Sequence, residues 1–261
     1  MKKSLVLLYI TCAIGTSYAQ VIVTSPLTEF VSAYPGNSAV ITVEVYNSGK
    51  ETRTIVLGPS DYSTDCEKGY IYEPPGTLEG SCAEWLSIDR REFILDPGDR
   101  EKINVRIYVP EGYNSPSAHA CLFVSNEPVA DTTRGELKYS FGVRTRYAIN
   151  ILYTNLAFGK SLTALKANQI LIDSTTGSPS IIIRMLNEGN NSDKFTTTAE
   201  IVNEAGEVVY NYTTPEKNIQ PGQCRNIRLQ NCTIPKGNYQ LILVSKTKSD
   251  KMFGLTQALV L

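Results

Sequence analysis

The chain has 261 residues, with 25 Lys and Arg against 26 Asp and Glu and a formal net charge of −1. So even a balance excludes the basic surface that phosphate backbones require, and nucleic acid is not an expected partner. With one histidine, His119, and no Cys-x-x-Cys spacing, nothing outlines a metal centre, a redox pair or a nucleophilic triad; neither an enzyme activity nor a cofactor is expected.

Met1-Lys2-Lys3 forms a basic tip ahead of the apolar run from Leu5 to Ile10, and Ser17-Tyr18-Ala19 supplies the small residues of a signal-peptidase site. Residues 1–19 are therefore expected to be a cleaved signal peptide, with a mature chain starting at Gln20 in the periplasm or outside the cell. Cys12 lacks the Leu and the small residue that precede a lipidated cysteine. No later run approaches the ~20 apolar residues of a membrane helix, so no membrane anchor is expected. Loss of Lys2 and Lys3 takes Lys and Arg from 25 to 23 against 26 Asp and Glu, a mature net charge near −3.

In the mature part Ile41, Val43 and Val45 alternate with polar residues between the turn signals Pro35-Gly36 and Asn47-Ser48-Gly49, the period-2 pattern of a half-buried strand. The same pattern returns as Ile181, Ile183 and Met185 ahead of Asn187-Glu188-Gly189. Asp96-Pro97-Gly98, followed by Ile103, Val105, Ile107 and Val109, is echoed by Gln220-Pro221-Gly222 followed by Ile227 and Leu229. The two halves of the motif stand further apart in the first copy, which carries an insertion holding Cys66, Gly69, Pro74, Pro75, Gly76, Gly80 and Cys82. Two copies of one domain account for both spacings.

Short β-branched and aromatic runs between turns, with no helical apolar stripe, predict an all-β chain of two β-sandwiches in tandem. The first domain is expected over 20–155, with strands near 20–24, 27–33, 39–47, 52–57, 85–88, 92–95, 101–109, 118–125 and 137–153. A linker is expected at 156–162. The second domain, 163–261, is expected to have strands near 168–173, 179–187, 194–202, 207–213, 224–229, 238–246 and 254–260. Trp85 reads as a core pin, His119 as a partly exposed polar residue, and the Asp61/Asp65 and Asp96/Asp99 pairs as turn formers. Cys66 and Cys82 are expected to bridge the base of the insertion, which leaves Cys121 a buried thiol. An extended chain from Cys224 to Cys232 holds its ends ~26 Å apart, so their pairing stays open.

Trp85-Leu86-Ser87-Ile88, Phe93-x-Leu95-x-Pro97-Gly98 and Ile103-x-Val105-x-Ile107-x-Val109-Pro110, with the segment Leu137 to Tyr153, resemble the periplasmic chaperones of pilus assembly. The resemblance implies two immunoglobulin-like domains, a long strand closing the first, and a protein subunit held by strand addition along that strand's edge. Phe141, Val143, Thr145, Tyr147, Ile149 and Ile151 then form the face offered to the subunit; the same alternation equally describes a strand packed on its own core. The resemblance also implies basic residues in the cleft that hold the subunit's terminal carboxylate. This chain departs from that pattern: Val21 to Ala33 contain no Lys or Arg, and the late position in the long strand falls on Asn150. Arg144 and Arg146 are the nearest cations, as a carboxylate anchor or as edge charges that block stray pairing. The other reading of the whole is a structural or adhesive surface protein without chaperone activity.

Overall fold

The computed structural model describes residues 21–128, 144–159, 162–173 and 180–261. The expected signal peptide, with Cys12 and the start at Gln20, lies outside the described residues, as do Phe141 and Val143.

The first domain runs through β1 (Val21–Val23), β2 (Thr28–Ala33), β3 (Ser38–Asn47), β4 (Arg53–Asp65), β5 (Gly69–Glu73), β6 (Leu86–Ile88), β7 (Glu92–Leu95), β8 (Arg100–Tyr108), β9 (Ser117–Pro128) and β10 (Arg146–Asn155). One sheet has the order β1-β3-β8-β6; the other has β2-β10-β9-β4-β5, with β7 also on β4. The second domain comprises β11 (Leu165–Asp173), β12 (Ser180–Asn187), β13 (Asp193–Asn203), β14 (Val208–Thr213), β15 (Lys217–Ile219), β16 (Cys224–Arg228), β17 (Asn238–Thr247) and β18 (Met252–Val260). Its sheets are β11-β12-β16 and β14-β13-β17-β18, with β15 on β13. The fold is all-β, two immunoglobulin-like sandwiches in tandem.

Period-2 alternation builds each core. Ile41, Val43 and Val45 on β3 line up beside Ile103, Val105 and Ile107 on the adjacent β8 to form one inner face of the first core, while Ile181, Ile183, Met185 and Ile227 do the same work in the second domain. Trp85, partly buried, meets Tyr113 and Tyr153 edge-on at centroid distances of 4.6 and 5.4 Å.

The duplicated turn motif is one hydrogen-bonded device used twice. Fully buried Asn47 takes the Gly98 N–H on its carbonyl and the Gly49 N–H on its side chain; Asn187 does so with Gly222 and Gly189. Gly98 and Gly222 have φ of +86° and +68°, the left-handed backbone that glycine adopts without steric cost.

The insertion is a β-hairpin rather than a loop. β4 continues past its pairing with β9 to Asp65, whose Oδ1 accepts the N–H groups of Glu67 and Lys68, and β5 returns antiparallel from Gly69. The loop from β5 back to the sandwich is organised by buried Asp61, which accepts the Gly76 and Leu78 N–H groups and the Ser81 hydroxyl. The turn reading of Asp65 therefore holds, whereas Asp61 is an internal acceptor on a strand.

This hairpin corrects the expected disulfide. Cys66 lies at its tip and Cys82 at its base, so the two are carried apart; Cys66 instead bonds Cys224 of the second domain, with Cα atoms 5.3 Å apart. Cys82, Cys121 and Cys232 are free and buried, and Cys224 is thereby unavailable to Cys232. Burial raises the Cys82 thiol pKa far above its ordinary value and that of Cys121 to about 12 against a smaller opposing pull from Arg146, which leaves both protonated and unreactive.

Candidate functional site

Of the strand expected near 137–153, residues 137–143 lie outside the described residues, and the rest corresponds to β10, which begins at Arg146. It pairs antiparallel with β9 from Arg146 to Thr154, and parallel with β2 only from Asn150 onward, opposite Thr28. Upstream of Thr28 the chain crosses to the other sheet, where β1 pairs with β3, so β10 loses its second neighbour before residue 150. The Asn150 N–H donates to the Leu27 carbonyl. Because backbone groups alternate along a strand, those of Ala148 and Arg146 also face the β2 side, where no strand meets them among the described residues. On the opposite side the Asn126 N–H donates to the Thr145 carbonyl and the Thr145 N–H to Asn126 Oδ1, which ties the start of the strand to β9.

The side chains divide differently from the expectation. Ile149 and Ile151 are fully buried in the first domain's own core, and Tyr147 is half-buried with its hydroxyl donating to the Val21 carbonyl at 2.9 Å. The face expected to be offered to a partner is thus core at Ile149 and Ile151, because β10 here lies over the sandwich interior between β9 and β2. Thr145 is partly exposed, and Arg144 is exposed and paired with Glu127 at 2.5 Å. Arg146 lays its guanidinium over the Phe123 ring, 4.8 Å from the centroid. Asn150, in the place the resemblance gives to a basic anchor, is buried.

The open edge ends at the interdomain cleft. There the Asn218 side chain donates to Thr28 Oγ1 at 3.0 Å, the Gln220 amide to the Tyr62 hydroxyl at 2.6 Å, and the Asn226 amide to the Cys66 carbonyl at 2.5 Å. Gln223 Oε1 accepts both the N–H and the hydroxyl of Thr64 at 2.9 Å. Its amide nitrogen therefore turns to His119 Nε2, 3.0 Å away, which makes that ring nitrogen the acceptor. His119 is buried and edge-on to Tyr62, contrary to the partly exposed position expected of it. Burial pushes its pKa down to about 4 and Tyr62's well above its ordinary value, so the cluster of His119, Tyr62, Gln220 and Gln223 at the centre of this interface is neutral. Its neutrality was the missed signal. The turn that is Asp96-Pro97-Gly98-Asp99 in the first copy is Gln220-Pro221-Gly222-Gln223 in the second, with amides replacing the carboxylates where the domains meet.

No family model and no curated protein matches the sequence. Solved structures do. The CsuC–CsuE chaperone–tip adhesion subunit complex, from the archaic chaperone-usher Csu pili of Acinetobacter baumannii, aligns with a TM-score of 0.50 at 11% identity over 91% of this chain and 98% of that one. The chain has the two-domain fold of the pilus-assembly chaperones. The YadV chaperone aligns at a TM-score of 0.49 and 10% identity over 92% of this chain and 100% of its own. The chaperone–tip adhesin complex of the CFA/I fimbriae gives 0.46 and 15% over 92% and 98%. In this version of the fold the cleft is bridged covalently and lined by amides and tyrosines. Among the described residues no cluster of three or more His, Cys, Asp or Glu could hold a metal ion, and no helix is long and apolar enough to cross a membrane.

Proposed function

We propose that this protein is a periplasmic chaperone, without enzymatic activity, that holds a secreted or pilus-type protein subunit by strand addition along β10. The observation that carries the reading is the edge at Arg146 and Ala148, whose main-chain groups no strand meets among the described residues beside a fixed cleft. Phe141, Val143, Thr145 and Tyr147 supply the side chains next to the incoming strand. Arg146, which takes no carboxylate among the described residues, meets the subunit's acidic groups, while Arg144 is occupied by Glu127.

Ala148→Pro tests this directly. The substitution removes an N–H on the open side and breaks no bond to β9, and edge strands tolerate proline. The variant should fold like the parent by circular dichroism and fail to co-purify with a pilus-type subunit co-expressed from the same organism. Undiminished capture refutes strand addition at this edge.

A further inference from the structure

On the sheet face turned away from the first domain's core, the inserted hairpin extends a row of rings that ends in a cation at each side. Arg225 of the second domain lies 4.4 Å from the Tyr70 centroid. Tyr70 stacks on Tyr72 at 6.0 Å with planes 7° apart, Tyr72 meets Phe123 at 4.9 Å, and Arg146 covers Phe123 at 4.8 Å. Tyr70 and Tyr72 are 47% and 38% exposed, a large aromatic area on the inserted hairpin. Gly58, opposite Phe123 on β4, has nothing within 4 Å of where a Cβ would stand, so the surface beside that ring is uncovered.

Among the described residues no carboxylate pairs with the charges at the two ends. Arg225 spends its donors on the Asn218 carbonyl and the Tyr70 hydroxyl. Neighbouring Lys217 feels burial and the like charge of Arg225. None of the ion pairs among the described residues involves Arg146, Arg225 or Lys217, whereas nearby Glu67 and Glu127 are held by Arg184 and Arg144. Guanidiniums held over aromatic rings still present N–H donors to carboxylates.

We infer that this row, Tyr70, Tyr72 and Phe123 between Arg225 and Arg146, is a second protein-docking surface, and that it takes a polypeptide segment whose apolar side chains are bracketed by carboxylates. Charge complementarity selects the acidic ends, and Arg146 makes the surface continuous with the β10 edge. The inference rests on the chaperone reading only in taking the occupant to be part of a protein partner.

The test uses the full chain and two end-blocked fluorescent peptides of alternating leucine and threonine, one with paired aspartates at both ends and one with lysines. The aspartate peptide should bind, more weakly as salt rises, and the lysine peptide should not. Tyr70→Ser with Tyr72→Ser should weaken binding about tenfold or more. Arg146→Glu should do the same without touching the hairpin, which covers the case in which the double variant does not fold. Ala148→Pro should retain peptide binding while losing the subunit, so failure at the edge and failure at this surface are read separately. Equal binding of both peptides, no binding, or loss confined to Ala148→Pro overturns the inference.

Discussion

Removing the Cys66–Cys224 bridge is the perturbation that bears most directly on how the two sandwiches are held. The bond joins residues separated by 158 positions, and closing so long a loop restricts the unfolded chain by about 5 kcal/mol in the chain-entropy account. The amide network across the cleft persists in the double variant Cys66→Ser, Cys224→Ser, so the native contacts are retained and the loss falls mainly on the unfolded side. Equilibrium urea unfolding should show a lower midpoint for the variant, and the parent should shift to match it on addition of dithiothreitol. A protease site inserted after Gly159, where a side chain would meet open space, should give two fragments that separate only after reduction. A peptide map joining Cys66 to Cys82, or a parent midpoint indifferent to reductant, refutes the reasoning.

Three further outcomes are expected. His119 has its pKa lowered from 6.5 to about 4 by burial, so the unfolded chain takes a proton that the folded chain refuses. Stability from this group is complete above about pH 6.5 and declines toward pH 4 by up to about 3 kcal/mol; His119→Gln should flatten the urea midpoint over that window, and an unchanged slope contradicts the interface assignment. Ile149→Asp places a carboxylate where the side chain is 0% exposed and should unfold the first domain, at a cost of several kcal/mol, by circular dichroism; a native spectrum means that the side chain faces outward after all. Gly189→Ala drives a Cβ onto the Leu162 carbonyl and within 2.7 Å of the Ala164 nitrogen, so it should lower the second domain's stability by about 1–3 kcal/mol in a thermal melt, while Gly159→Ala leaves it unchanged.

Strand alternation and the repeated Asn and Pro-Gly turns were readable because each depends on residues close in sequence, and Asn47 and Asn187 prove to make the same bonds. β5 escaped notice because Tyr70 and Tyr72 sit among glycines and prolines and bury neither face fully. The disulfide partner could not be read, since it depends on where a hairpin points rather than on spacing. The alternation of β10 predicts two faces correctly, but which one meets the core is fixed by β2 and β9, strands distant in the chain.

The bridge also imposes an order of events. A chain that emerges N-terminus first presents Cys66, Cys82 and Cys121 before Cys224 exists, so the wrong partner for Cys66 is available earlier than the right one. Cys82 belongs to the first sandwich's core, Cys121 to a separate buried cluster with Tyr62 and Leu152, and Cys66 stays partly accessible at the hairpin tip. Prompt closure of the first sandwich therefore acts as a kinetic filter: it hides Cys82, the neighbouring wrong partner, and holds Cys66 ready for a domain still to come.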